Sequence, residues 1–134
     1  MNTKSKILVG LATLLAGITW QACDTRVPTP ITPPEVNYTL HLTSDRYQIL
    51  ADNGGTVARL TAQLTNDMGE PISGATINFS AFQGLISGSV NTDLSGRAKA
   101  TFFDDGTPAD SALIVARYSD GNGNTVRDTV YLSI

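Results

Sequence analysis

Residues 67–79 read DMGEPISGATINF, and residues 92–98 read TDLSGRA. In the first stretch a turn is followed by a strand. Gly69 and Gly74 suit the positive φ that a tight turn demands of one residue, and Pro71, lacking an N–H, marks a strand boundary or an edge. Ala75, Ile77, Phe79 and Ala81 then alternate with Thr76, Asn78 and Ser80. That period of two places Ile77 and Phe79 on the buried face of a half-buried strand. In the second stretch, Asp93, Ser95 and Gly96 make a hairpin turn into another alternating run, Ala98, Ala100 and Phe102 against Arg97, Lys99 and Thr101.

The same pattern extends in both directions. Tyr38, Leu40 and Leu42 alternate with Thr39, His41 and Thr43, and Ala58, Leu60, Ala62 and Leu64 with Arg59, Thr61, Gln63 and Thr65. Downstream come Ile114, Ala116 and Tyr118, then Val126, Val130, Leu132 and Ile134. Clusters of Asp, Asn and Gly separate the runs at 52–55, 66–69, 93–96 and 120–124. No helical period interrupts them. About seven short strands in roughly 100 residues predict an all-β, two-sheet sandwich. With one cysteine in the chain, no intradomain disulfide is available, so the core rests on apolar burial alone.

Asp67, Gly69, Pro71, Gly74, Ile77 and Phe79, followed by Thr92, Asp93, Gly96 and Ala98, occur in an order and spacing that resemble the bacterial Ig-like domain of the invasin and intimin type, the Big-1 family. That family carries an aspartate–glycine–proline turn, a second glycine, a V/I-x-F strand and a T-D-x-x-G-x-A hairpin. The resemblance covers roughly Tyr38 to Ile134. It implies an immunoglobulin-like sandwich that serves in extracytoplasmic stalks, spacers and adhesion modules, with no catalytic site. One departure lies downstream, where Asp110-Ser111 stands in place of the glycine usual before the V-x-A strand.

Ahead of the domain, Met1 to Lys6 is polar and basic, and Ile7 to Ile18 is an uncharged apolar run of twelve residues. As a helix this run reaches only ~18 Å of a ~30 Å hydrocarbon core. The layout is that of a secretory signal cut between Ala22 and Cys23. Ala22-Cys23 resembles the end of a bacterial lipobox, whose cysteine receives the lipid, although Trp20 and Gln21 differ from the aliphatic and small residues usual there. Secreted domains held by disulfides carry cysteines in even numbers, so a sole cysteine at this position is expected to be the lipidation site. The linker 24–36, DTRVPTPITPPEV, holds four prolines; its composition predicts an extended tether of roughly 40 Å. The expected organisation is therefore a signal peptide at 1–22, a lipidated cysteine and Pro/Thr-rich linker at 23–36, and the Ig-like domain at 37–134.

Composition narrows the function. Hydrophobic residues make up 41 % and charged residues 16 %, enough apolar material for one core. After removal of residues 1–22, seven basic residues face twelve acidic ones, a net charge of −5. No basic stripe is present to neutralise phosphates, which disfavours nucleic acid. His41 is the sole histidine and should face solvent. No serine–histidine–aspartate order, cysteine–histidine cluster or phosphate loop accompanies it, so neither enzyme nor cofactor is expected. Asp104, Asp105 and Asp110 are candidate Ca²⁺ ligands in one loop, with solvated surface charge as the favoured reading. The pentad Asp120-Gly121-Asn122-Gly123-Asn124 opens like a calcium loop, but Tyr131 stands where its twelfth-position glutamate belongs; a hairpin turn explains it better.

Together these features point to a non-catalytic envelope lipoprotein with a structural, adhesive or spacer role. It would be held to the membrane by an N-terminal lipid, on an outer-membrane, surface or periplasmic face, with an envelope protein or a glycan as its possible partner. The alternative is a carbohydrate- or peptide-binding lipoprotein, for which an exposed aromatic platform from Phe82, Phe103 or Tyr47 would be the mark.

Overall fold

Eight antiparallel strands build two four-stranded sheets in the computed structural model, which describes residues 35–134. The signal, Cys23 and nearly all of the linker lie outside the described residues. The strands are β1 (Tyr38–Ser44), β2 (Val57–Asn66), β3 (Thr76–Ala81), β4 (Leu85–Ile86), β5 (Ser89–Asn91), β6 (Arg97–Phe103), β7 (Ser111–Ser119) and β8 (Thr125–Ser133). One sheet has the order β1-β2-β6-β4 and the other β5-β3-β7-β8. The fold is an Ig-like β-sandwich, and no helix occurs among the described residues.

The alternation expected from the sequence is the alternation of burial. Leu40, Leu42, Leu60, Leu64, Ile77, Phe79, Phe102, Ile114 and Leu132 fill the space between the sheets. Small residues, among them Ala58, Ala62, Ala98, Ala112 and Ala116, let the sheets close over them. Burying the large apolar side chains stabilises the fold by ~1.5–3 kcal/mol each. Tyr38 and Tyr118 close one end of the core edge-to-face, with ring centroids 5.1 Å apart.

Two features go beyond the sequence reading. The connection from β3 to β6 contains β4 and β5, of two and three residues. Strands this short contain too few residues for a period of two to register. The long loop after β1 also enters the core: Ile49 is only 2 % exposed. Its N–H donates to the Ser133 carbonyl at 2.9 Å, while the Ser133 N–H donates to the Tyr47 carbonyl at 2.8 Å. These bonds surround a parallel bridge between Gln48 and Ser133 and hold the loop against β8.

The register fixes two poles. Tyr38 pairs with Asn66 at one end of β2, and Val57 pairs with Phe103 at the other. β1 therefore enters at the pole that carries the turns 67–75, 92–96 and 120–124. β8 runs away from that pole, and Ile134 donates to the Asp110 carbonyl at the opposite one.

Candidate functional site

At the entry pole the residues of the family-like motif lock together through backbone groups. The turn after β2 is organised by Asn66, whose side-chain oxygen accepts the N–H groups of Met68 (3.0 Å) and Glu70 (2.9 Å). Asp67 sits exposed on that turn, and Gly69 supplies its φ of 79°. Pro71 bridges to Thr65, and the Ile72 N–H donates to the Leu64 carbonyl at 3.0 Å. Thr92, 5 % exposed, then joins two segments. Its hydroxyl donates to the Ile72 carbonyl at 2.7 Å and accepts the Ala75 N–H at 2.9 Å. Asp93 caps the next hairpin, its Oδ1 accepting the N–H groups of Ser95 (2.8 Å) and Arg97 (3.0 Å). Gly96 is needed for space: a Cβ there would lie 2.6 Å from the Leu64 carbonyl oxygen and 2.9 Å from Pro71 Cβ. Ile77 and Phe79 project into the core from β3, and Ala98 does so from β6. Apart from Asp67, whose side chain is exposed, these groups hold loops and sheets together.

The acidic loops behave in the same way. Asp120 Oδ1 accepts the N–H groups of Asn122 (2.7 Å) and Asn124 (3.2 Å), and its Oδ2 accepts the Asn124 amide at 2.9 Å. The pentad is thus a capped hairpin turn. Asp105 caps Thr107 at 3.0 Å, and Asp52 accepts both the N–H (2.8 Å) and the hydroxyl (2.5 Å) of Thr56. Donated hydrogen bonds hold Asp52, Asp93, Asp105 and Asp120 below the ordinary carboxylate value of 3.8, led by the Thr56 hydroxyl for Asp52 and by backbone N–H groups for the other three.

The candidate Ca²⁺ loop needs correction. Asp104, Asp105 and Asp110 do not converge, and the described residues contain no metal-holding group of three His, Cys, Asp or Glu side chains. Nor is Asp104 solvated surface charge: it is 1 % exposed, and its Oδ2 accepts the Asn53 N–H at 3.2 Å. It ties the loop before β2 to the end of β6, which fits the left-handed φ of 54° at Asn53.

His41 is exposed, as its position on β1 requires. Its Nδ1 lies 3.6 Å from Asp128 Oδ2, the same oxygen that accepts the Leu42 N–H at 2.7 Å. Asp128 is therefore a clamp across the open side of the sandwich, from β8 to the free edge of β1. No nucleophile stands beside the histidine in these contacts.

The aromatics sort differently from the platform considered above. Phe103 belongs to β6 in one sheet, whereas Phe82 extends β3 in the other, donating its N–H to Leu113 at 3.1 Å. Tyr47 is in the long loop and 61 % exposed. The outer face of the β5-β3-β7-β8 sheet has its own concavity of about 680 Å³, lined by Asn78, Ser80, Phe82, Arg117, Thr125 and Arg127 among others. Tyr131, 66 % exposed and opposite Leu113 on β8, lies on the same outer face.

The family model for the bacterial Ig-like domain (group 1) matches residues 39–131. The chain belongs to this family. Two intimin structures resemble the bacterial Ig-like domain described here. One is the C-terminal fragment of intimin in complex with the intimin-binding domain of the translocated intimin receptor (23 % identity, TM-score 0.57, covering 72 % of this chain and 33 % of that one). The other is the D0–D1 region of intimin (24 % identity, TM-score 0.57, 75 % of this chain and 49 % of that one). This chain thus spans about a third and about half of their respective lengths. A conjugative transposon lipoprotein from Bacteroides eggerthii matches at 12 % identity and a TM-score of 0.49, covering 71 % of this chain and 95 % of that one. No curated protein matches the sequence. The motif that carried the resemblance, from Asp67 to Ala98, falls inside the matched range and forms the interlocked pole, where it acts as scaffold.

Proposed function

We propose that this chain is a non-catalytic lipoprotein of the bacterial cell envelope, presenting its Ig-like domain on a lipid-anchored tether as a spacer or adhesive module. One observation carries the reading: the sole cysteine, Cys23, stands directly after a basic segment, an apolar run and Ala22, and just before a proline-rich linker into a bacterial Ig-like domain. Membership of that family supports an envelope setting. The proline-rich linker ahead of the domain supports a spacer role. The acidic loop residues Asp52, Asp93, Asp105 and Asp120 cap turns, and Asp104 and Asp128 clamp loop and edge, which supports a role without catalysis. The outer-face concavity favours a second reading, capture of a glycan or peptide.

Cell fractionation of the wild type and Cys23→Ser tests the proposal. The wild type should sediment with membranes, and the variant should appear in the soluble fraction or accumulate with its signal uncut. A variant that is cut normally and stays with membranes contradicts it.

A further inference from the structure

Charge is segregated in this domain. Every acidic residue from Glu35 onward lies in a loop or flanking segment, except Asp128 on β8, whose carboxylate turns inward to the β1 edge. The outer faces of the two sheets therefore carry cations without anions. On the β5-β3-β7-β8 sheet those cations adjoin: Arg117 on β7 and Arg127 on β8 are direct register partners, and both are exposed. Side chains so placed start from Cβ atoms ~4.5–5.5 Å apart, and like charges opposite one another destabilise a sheet. Among the described residues neither guanidinium has a counter-ion. The close contacts between basic and acidic side chains among the described residues are His41–Asp128 and Arg46–Asp45.

The surroundings of the pair point to a ligand class. Asn78 is the register partner of Arg117 on its other side, so Asn78, Arg117 and Arg127 form one row across three strands. Thr125 and Ser80 line the same concavity, as does Phe82, which is 77 % exposed. Two guanidinium forks match carboxylates in bidentate fashion. The Asn78 amide oxygen already accepts the Ser89 hydroxyl at 2.7 Å, but its amide N–H groups can donate to sugar hydroxyls, the Thr125 and Ser80 hydroxyls can donate to or accept from them, and an exposed ring offers an apolar face for a pyranose. A small free anion would use only the arginines. An acidic peptide would also engage the arginines, as acidic motifs do at arginine clusters, but it would leave the exposed Phe82 ring and the adjoining hydroxyl groups without the repeating sugar hydroxyls and ring faces that they match.

We propose that this outer face binds an acidic polysaccharide of the uronate class, with Arg117 and Arg127 on its carboxylates and Phe82 against a sugar ring. This names the partner of the adhesive module proposed above and rests on that reading.

The test is calorimetric titration of the full mature protein in detergent with polygalacturonate, alongside dextran and poly-glutamate. Polygalacturonate should bind and dextran should not. Charged hydrogen bonds of this kind contribute enough that Arg117→Gln/Arg127→Gln should weaken binding more than about tenfold. Phe82→Ala should weaken it several-fold. The control is Arg97→Gln/Lys99→Gln, which removes the same charge from the other sheet and should leave affinity unchanged. Urea unfolding of each variant excludes loss of fold as the cause. No binding by the wild type, an equal loss in the control, or poly-glutamate binding as tightly as the glycan overturns the proposal. Fractionation of Cys23→Ser separates the two claims: a protein that is anchored but does not bind defeats only this inference, and one that binds but is never anchored defeats only the lipoprotein reading.

Discussion

Replacing Thr92 by valine deletes one hydroxyl from the interlocked pole while nearly preserving side-chain volume. That hydroxyl donates to the Ile72 carbonyl at 2.7 Å and accepts the Ala75 N–H at 2.9 Å, at a residue only 5 % exposed. An ordinary hydrogen bond contributes ~0.5–1.5 kcal/mol net, but a buried partner left unsatisfied costs ~1–3 kcal/mol. Two partners lose their bond here, and the Ile72 contact is part-buried, so the loss should be ~2–4 kcal/mol. Against a total of ~5–15 kcal/mol for a domain of this size, that is a large fraction. With a urea m-value of about 2 kcal/mol/M, the middle of the usual range, the midpoint should fall by ~1–2 M with little change in slope. Thr92→Ser keeps the hydroxyl and should lose much less. Thr76→Val removes an exposed hydroxyl bonded to Asn91 Oδ1 at 2.9 Å and should shift the midpoint hardly at all. A Thr92→Val protein within ~0.5 kcal/mol of wild type would refute the argument that this residue joins the two loops.

Phe79, 5 % exposed in the core, should cost ~3–5 kcal/mol when replaced by alanine, whereas exposed His41→Ala should stay within ~0.5 kcal/mol; urea unfolding of both checks the β1 and β3 registers together. Asp128→Ala frees the Leu42 N–H at the β1 edge, so hydrogen exchange at Leu42 should accelerate while core amides of β2 and β6 keep their protection. Asp52, Asp93, Asp105 and Asp120 have folded values lowered below 3.8 by the groups that donate to them. Their contribution is therefore present above the unfolded value and is lost as pH falls through the folded ones. The urea midpoint should hold steady between about pH 7 and 5 and decline below about pH 4.

The long strands were legible because each buries one face, so Leu60, Ala62 and Leu64 announce themselves against Arg59, Thr61 and Gln63. β4 and β5 were not, being too short to show a period. Ile49 was missed because its loop joins the core through a parallel bridge to β8, a contact no local pattern encodes. In the turn after β2 the sequence showed a cluster of Asn66, Asp67 and Gly69, but not that Asn66 would be the residue whose side-chain oxygen caps the turn. Asp104 looked like loop charge because nothing local signals that Asn53, 51 positions away, donates to it. The Arg117–Arg127 pair was within reach. A hairpin closed around Asp120 to Asn124 sets Ser119 against Thr125 and hence Arg117 against Arg127, but the register had to be counted outward from the turn.

Mass spectrometry of the N-terminal peptide from protein purified out of its native membranes tests the central claim most directly. The mature chain should begin at Cys23, carry a diacylglyceryl thioether on that residue, and lack Trp20, the sole tryptophan. A mature chain with Cys23 unmodified, or one that still contains Trp20, would contradict it.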